Sequence, residues 1–169
     1  MKSYETERFI LKPSDINDAE FFLELYNSPQ FIENIGDRNL RSIEDAENYI
    51  VEKFRPQFEK LGIGNYVVVQ KEDSQKIGAV GIFEREGLDV MDIGFSYLPQ
   101  FIGKGNAFEA ANKLKEVAMG EFGIKNISAI TTKTNIPSQK LIEKLGLKYK
   151  KMVTLPNDDE ELMYYELLD

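Results

Sequence analysis

The stretch Leu98-Pro99-Gln100-Phe101-Ile102-Gly103-Lys104-Gly105-Asn106-Ala107 joins a predicted strand to a long predicted helix. Two glycines near the helix start let the backbone approach a ligand. The free N–H groups of the first turn point outward, with the positive end of the helix dipole behind them. Lys104 adds positive charge to a chain of net charge −8. The stretch predicts an anion site suited to phosphate; the alternative is a glycine turn that only joins two elements.

Two familiar phosphate-binding motifs are absent from this loop. It does not match the Walker pattern GxxxxGK[ST], and Phe108 occupies the last glycine position of the dinucleotide fingerprint GxGxxG. A strand–loop–helix context without either motif leaves other pyrophosphate ligands, coenzyme A among them.

Strands and helices alternate on both sides of this loop. Periodicity predicts strands near residues 8–13, 65–70, 76–86, 90–98, 127–131, 149–155 and 161–167. It predicts helices near residues 15–26, 42–60 (with Pro56 as a candidate interruption), 105–121 and 136–145. Residues 31–41 are expected to form an irregular loop. The pattern predicts an α/β fold with an antiparallel meander over residues 65–98 and a right-handed parallel crossover over residues 92–132.

The composition suits one globular domain covering residues 1–169. No apolar run approaches the length of a membrane span, and residues 1–5 lack the apolar core of a signal peptide. The absence of cysteine fits a reduced, cytoplasmic compartment, which we expect for this protein. The net charge of −8 disfavours nucleic acid and favours cationic partners, amines included. We expect no membrane partner and a monomer or homodimer.

The chain contains neither cysteine nor histidine. Their absence excludes thiolate nucleophiles, cysteine-based metal sites, Ser-His-Asp triads, HExxH zinc sites and an imidazole base. An enzyme of this composition must move protons through carboxylates, hydroxyls, backbone groups or water. The sequence shows no metal-ligand cluster, so we expect no metal.

Four further features carry a family resemblance: residues 6–13; Asp92-Ile93-Gly94-Phe95; residues 103–107 followed by Glu109-Ala110; and Asn135-Ile136-Pro137-Ser138 followed by Lys144-Leu145-Gly146-Leu147. In this order they resemble the GNAT superfamily of N-acetyltransferases, in particular the branch of the ribosomal-protein alanine N-acetyltransferases. Lys12 stands where that branch usually has Arg. The resemblance implies one domain with a mixed sheet of about seven strands, a splayed parallel pair and about four flanking helices.

The resemblance also implies acetyl-CoA as cosubstrate and a set of binding residues. Backbone amides of the loop would hold the pyrophosphate: Ile102, Gly103, Lys104, Gly105, Asn106 and Ala107. The fourth strand of the family, around Phe95, Ser96 and Tyr97, would pair with the pantetheine arm as an added strand. Asn135 would hydrogen-bond the pantetheine region, and Ser138 would lie near the thioester sulfur.

Two departures from the family pattern stand out. The pattern Gln/Arg-x-x-Gly-x-Gly/Ala fits literally from Gln100, whereas the helix start and Ala107 favour the register that begins at Ile102, which we prefer. Many relatives have a tyrosine acid at the position of Ile142, and Ile142 cannot protonate a thiolate. Ser138 or a water molecule must then do so.

The implied reaction is direct attack of a primary amine on the thioester carbonyl. The family often has an acidic residue at Asp92, which makes Asp92 the first candidate for the base; Glu33 and water are alternatives. Each candidate has a structural alternative: Asp92 could face solvent or pair with a cation, Ser138 could cap a helix, and Glu109 could hold the helix against the N-terminal segment.

The acceptor stays open at this stage. A protein N-terminus, a polyamine, an amino acid and a drug-like amine all fit. Four aromatic residues could line its pocket or belong to the core: Phe31, Tyr66, Tyr164 and Tyr165. The acidic run at residues 158–161 could be a solvated turn or a rim that attracts a cation. The alternative function is a non-catalytic coenzyme A-binding sensor or interaction module.

Overall fold

The computed structural model describes residues 1–167, and its centre is an eight-stranded mixed sheet with the order β1-β2-β3-β4-β5-β6-β8-β7. The strands are β1 (Tyr4–Glu5), β2 (Phe9–Pro13), β3 (Asn65–Gln70), β4 (Lys76–Phe83), β5 (Met91–Tyr97), β6 (Ile127–Thr131), β7 (Lys148–Val153) and β8 (Leu162–Leu167). The helices are α1 (Ala19–Tyr26), α2 (Pro29–Asn34), α3 (Ile43–Tyr49), α4 (Arg55–Leu61), α5 (Asn106–Gly120) and α6 (Ile136–Lys144).

The sheet is antiparallel except at one place, where β5 and β6 run parallel. Their pairing is limited to Met91 opposite Ile127 and Asp92 opposite Ser128. β4, on the other side, pairs with β5 as far as Tyr97. Residues 93–97 therefore have a paired edge toward β4 and an unpaired edge toward β6, which confirms the predicted parallel crossover and its splay.

Helices cover both faces of the sheet, since alternate strand residues point to opposite sides. Val68 belongs to the core beneath α5 and α6, whereas its neighbour Val67 belongs to a second core beneath α1 and α3. The apolar face of α5 buries Ala110, Ala111 and Leu114 against the sheet. This packing holds α5, and the glycine loop before it, in a defined position.

Several predicted boundaries were wrong. The sheet has eight strands instead of about seven, since β1 was not predicted. A strand of two residues is too short to show the alternation of apolar and polar residues. Residues 31–34 of the expected loop belong to α2, which starts with Pro29 in its first turn. The predicted helix over residues 42–60 consists of α3, a π-helical turn at Ile50–Phe54, and α4, with Pro56 in the first turn of α4. Residues 1–167 contain six α-helices, where about four were expected.

No helix within residues 1–167 is long and apolar enough to cross a membrane.

Candidate active site

The glycine loop is exposed and turns sharply before α5. Gly103 and Gly105 have φ angles of +84° and +74°, a left-handed conformation that favours glycine. A Cβ on Gly103 would meet no atom within 4 Å. Gly105 is the N-cap of α5 and has no side chain with which to satisfy the first N–H groups of the helix. The side chain of Asn106 is turned inward and donates to the Phe101 carbonyl oxygen at 3.1 Å.

Arg8 lies beside this loop, a placement that sequence analysis did not predict. Its Nε donates to Glu109 at 2.7 Å, and its backbone N–H donates to the same carboxylate at 2.9 Å. A guanidinium nitrogen of Arg8 lies 4.0 Å from where a Cβ on Gly105 would be. Burial alone would raise the pKa of Glu109, but hydrogen bonds from Thr6 and Arg8 outweigh it and lower the pKa. Glu109 therefore connects α5 to the N-terminal segment, which is the structural role that the sequence suggested for it.

A cavity of about 360 Å³ lies where β5 and β6 separate. Four residues predicted for the site line it together: Asp92, Phe95, Asn135 and Ser138. They come from β5 and from the start of α6, which are far apart in the chain. The fold thus brings both predicted catalytic residues, Asp92 and Ser138, to one cavity at the point where the pairing of β5 with β6 ends.

Asp92 is 1% exposed, and its two carboxylate oxygens have different surroundings. Oδ2 accepts a hydrogen bond from Arg85 Nε at 2.8 Å. Oδ1 has no hydrogen-bond partner among the described residues. Burial raises the pKa of Asp92 to about 6, against the lowering effect of the charge and hydrogen bond of Arg85. The cation-pairing alternative is therefore correct for Oδ2, while Oδ1 stays available as an acceptor.

Asn135 and Ser138 divide two tasks at the start of α6. The Asn135 side chain accepts from the Ser138 backbone N–H at 3.3 Å, so Asn135 is the N-cap of the helix. Capping by Ser138 was the wrong alternative. The Ser138 hydroxyl makes no hydrogen bond to the residues that the structure describes, and it is only partly buried. It is free to bond a ligand in the cavity.

Other predicted residues lie elsewhere. Ser96 lines a second cavity of about 190 Å³, which also borders β5. Tyr97 is buried, with its hydroxyl 3.5 Å from the Asn106 carbonyl oxygen. Glu33 is exposed on α2, not in a loop, and lies outside the linings of both cavities. Ile142 is buried in the core beneath α6 and offers no proton donor. The residues of the loop itself, Ile102, Gly103, Lys104, Gly105, Asn106 and Ala107, are also absent from both linings.

The second cavity is lined by one residue that the sequence suggested for an acceptor pocket and by two arginines that it did not. Of the four aromatic candidates, Phe31 lines this cavity and stacks on Tyr26 with ring centroids 4.2 Å apart. Tyr66, Tyr164 and Tyr165 are buried among the core and sheet residues instead. Arg38 and Arg85 line both cavities. Their charges could be noticed in the sequence, but their convergence depends on the fold.

The acidic run after β7 is exposed, as the solvated-turn interpretation requires. Two of its members, Asp158 and Glu160, also line the larger cavity, so the rim interpretation agrees with the structure as well. Within residues 1–167, no group of three or more acidic residues is placed to hold a metal ion.

Comparison with known proteins connects this geometry to a family. A sequence model described as an acetyltransferase (GNAT) domain matches residues 8–148. The chain belongs to the GNAT acetyltransferase family. Membership makes this GNAT domain an acyl-CoA-dependent acetyltransferase, for which acetyl-CoA is the cosubstrate.

The similarity to known proteins extends over nearly the full chain. The uncharacterized N-acetyltransferase YnaD of Bacillus subtilis is 24% identical over 168 residues, covering 97% of this chain and 95% of YnaD. The structure of the ribosomal-protein-S5-alanine acetyltransferase of Vibrio fischeri has a TM-score of 0.82 at 17% identity and covers 99% of this chain and 97% of that chain. The microcin C7 self-immunity acetyltransferase MccE, solved with acetyl-CoA and AMP, has a TM-score of 0.80 at 18% identity, covering 97% of this chain and 94% of that chain.

Proposed function

We propose that this enzyme transfers the acetyl group of acetyl-CoA to a primary amine by direct attack. The base takes one proton from the ammonium form of the acceptor, the free amine nitrogen forms a bond to the thioester carbonyl carbon, and the carbon–sulfur bond breaks. The second proton that the nitrogen loses on forming the amide reaches the departing thiolate. The observation that carries the proposal is the unpartnered Oδ1 of Asp92, in one cavity with Asn135 and Ser138 at the point where β5 and β6 part.

Pyrophosphate binding is assigned to the loop over residues 102–107. The fit is good, because Gly103 and Gly105 are exposed, no side chain caps α5, and a Cβ on Gly103 would point into open space. Backbone N–H groups at the start of a 15-residue helix bind anions well. Lys104 and the guanidinium of Arg8 add positive charge beside them.

The pantetheine arm is assigned to the unpaired edge of β5, by backbone hydrogen bonds with residues near Phe95, Ser96 and Tyr97. This edge leads from the glycine loop to the larger cavity. The Nδ2 of Asn135 is available to the arm, because only Oδ1 takes part in capping α6. A backbone N–H of β5 is the donor proposed for the developing oxyanion.

Asp92 is the proposed base. The Oδ1 atom of Asp92 has no hydrogen-bond partner among the described residues, and Asp92 lines the larger cavity. The pKa of about 6 leaves the carboxylate largely ionised at neutral pH. Glu33, the alternative, lies outside both cavity linings. Ser138 is the proposed hydrogen-bond donor to the thiolate, because its hydroxyl is free and Ile142 replaces the family's usual tyrosine.

The family resemblance identifies the acceptor as a primary amine and does not distinguish among kinds of amine. Membership of the ribosomal-protein alanine N-acetyltransferase branch is a proposal that rests on the four sequence stretches, since the likeness to the Vibrio fischeri enzyme at 17% identity extends to the fold alone. One domain over residues 1–169, a cytoplasmic location and a monomeric or homodimeric state also stay predictions.

A thiol-release assay tests the proposed function. The full chain is incubated with acetyl-CoA and a panel of primary amines, free coenzyme A is measured with a thiol reagent, and the products are identified by mass spectrometry. We expect one coenzyme A released for each N-acetylated amine, and both products to form about 10²-fold more slowly in Asp92→Asn. Tight binding of coenzyme A without amine-dependent release would favour the sensor alternative.

A further inference from the structure

The smaller cavity has the opposite charge balance to the chain as a whole. The net charge is −8, yet this cavity of about 190 Å³ is lined by three cationic side chains, Arg38, Lys53 and Arg85, and by one carboxylate, Glu84. Such a reversal inside an acidic protein concentrates positive potential in one place.

Most of this positive charge is not neutralised within residues 1–167. The one carboxylate of the lining, Glu84, pairs with Lys60 at 3.0 Å. Asp37, the acidic neighbour of Arg38 in the chain, pairs with Arg41 at 2.6 Å. No carboxylate of the described residues lies within ion-pair distance of Arg38 or Lys53. The cavity therefore offers two cations without partners.

The rest of the lining is mostly aromatic. The guanidinium carbon of Arg38 lies 5.9 Å from the centroid of the Phe31 ring, which itself stacks on Tyr26. Phe54 and Phe83 extend the same surface. An apolar concave site with a few converging charged groups is typical of small-molecule pockets, and a volume of about 190 Å³ suits a small acceptor.

The two cavities share part of their lining, and the formal charges of the two linings differ in sign. Arg38, Arg85 and Phe95 line both, so the cavities meet at β5. The larger cavity contains Asp92 and the exposed acidic residues Asp158 and Glu160. A ligand lying across the junction would have a cation-attracting end beside the proposed base and an anion-attracting end among the aromatic rings.

We propose that the acceptor is a small zwitterion, a primary amine that carries a carboxylate or a phosphate. Its amine lies at Asp92, its anion at Arg38 and Lys53, and its apolar part against Phe31 and Phe83. The proposal rests on the proposed transfer to an amine and narrows its substrate class. N-acetylation removes the ammonium charge that the acidic end attracts, which favours release of the product.

Matched acceptors test the proposal. Phenylalanine is compared with phenylalaninamide and phenethylamine, and 2-aminoethyl phosphate with ethanolamine; spermidine represents the polyamines. One charge-assisted hydrogen bond changes affinity by about ten-fold or more. We therefore expect the kcat/KM of at least one zwitterionic acceptor to exceed that of its counterpart without the anionic group by about ten-fold or more, and the two pairs separate carboxylate from phosphate. Equal kcat/KM within both pairs, or a preference for spermidine, overturns the proposal while leaving amine acetylation intact.

Variants locate the effect. Arg38→Gln and Lys53→Gln should each raise the KM of the preferred zwitterionic acceptor by about ten-fold more than the KM of its counterpart without the anionic group. Arg55→Gln is the matched control, because Arg55 is an exposed residue of α4 outside both linings. An equal effect of Arg38→Gln on acid and amide would assign Arg38 to another role and overturn the proposed anion site.

A binding measurement separates this proposal from the proposed function. Calorimetry of phenylalanine, phenylalaninamide, 2-aminoethyl phosphate and ethanolamine is carried out on the protein saturated with coenzyme A. If no amine is acetylated, the proposed function fails. The anion site still stands if a zwitterionic ligand binds and Arg38→Gln weakens its binding. The site fails if neither zwitterion binds better than its counterpart without the anionic group.

Discussion

Arg85 Nε donates to Asp92 Oδ2 across 2.8 Å, which leaves the other oxygen of a carboxylate that is 1% exposed without a hydrogen-bond partner in residues 1–167. Asp92 lies opposite Phe83 in the β4–β5 register, and Arg85 follows shortly after the end of β4. The hydrogen bond from Arg85 to Oδ2 stabilises the charged form of this buried carboxylate. Burial and the Arg85 cation act in opposite directions on its pKa, and burial is the larger effect.

The pH dependence of the reaction should report Asp92. Its pKa is raised to about 6, so the carboxylate is protonated and inactive as a base below that pH and ionised above it. We expect kcat/KM to rise through about pH 6, and Asp92→Asn to lose this limb together with about 10²-fold of the rate at neutral pH. Coenzyme A affinity should change little.

The charged groups around Asp92 are Arg85, which bonds it, and Arg38, Asp158 and Glu160, which line the same cavity. Asp89→Asn is the matched control, because Asp89 is exposed in the turn before β5. A parental rate and pH profile in Asp92→Asn would make Asp92 structural and direct attention to Glu33 or water.

The glycine loop can be tested by charge at constant shape. At the left-handed φ of Gly105, aspartate and asparagine are both tolerated better than other residues, and they differ only in charge. Gly105→Asp should weaken coenzyme A binding by about ten-fold or more relative to Gly105→Asn, since it sets an anion against the pyrophosphate. Calorimetric titration measures both.

Gly120→Asp puts the same charge at the exposed far end of α5 and should leave coenzyme A affinity unchanged. Equal affinity of folded Gly105→Asp and Gly105→Asn would remove the loop from the phosphate site.

Substitution of Asn135 should lower stability, whereas substitution of Ser138 should lower turnover. Asn135→Ala removes the cap of α6 and should lower the free energy of unfolding by about 1 kcal/mol, as well as weakening coenzyme A binding. Ser138→Ala should keep the free energy of unfolding and reduce kcat by about ten-fold if its hydroxyl serves the thiolate. Urea unfolding and steady-state kinetics on both variants decide; a loss of stability in Ser138→Ala with unchanged kcat contradicts the assignment.

Asp18 should control stability at acidic pH. It is 1% exposed and forms ion pairs of 2.7 Å with Lys12 and with Lys76. Burial alone would raise the pKa of Asp18, but hydrogen bonds from Lys12, Lys76 and the Asp15 backbone outweigh it and lower the pKa. The stabilisation is therefore present above the unfolded pKa of about 4 and is lost as the pH falls through the lower folded value.

At pH 7, Asp18→Asn should reduce the free energy of unfolding by about 1–3 kcal/mol, and the difference should shrink as the pH falls below the unfolded pKa of about 4. Asp15→Asn is the matched control, since asparagine can cap the turn at residues 16–18 as aspartate does. Urea unfolding across this pH range measures both variants. A pH-independent difference would show that Asp18 acts through shape and not through charge.

Local signals in the sequence predicted most of the fold. The strand Ile127–Thr131 has the predicted limits, because a short β-branched run between a glycine turn and a helix signal is informative by itself. The left-handed glycines before α5, the meander over β3–β5 and Gly146 after α6, with φ of +99°, likewise follow from local chemistry. The family resemblance predicted the coenzyme A loop and the splay of β5 from β6.

Only the tertiary structure decided the features that depend on residues far apart in sequence. β1 exists because Tyr4 pairs with Leu11, and a two-residue strand has no periodicity of its own. Arg8 reaches Gly105 because Glu109 holds it there. Arg38 and Lys53 gather positive charge in an acidic chain because α2, α3 and β5 meet around one cavity. A buried charge takes its energy from its three-dimensional neighbours, so the sequence could name Asp92 as a candidate while its free oxygen and raised pKa depended on the folding of Arg85 against it.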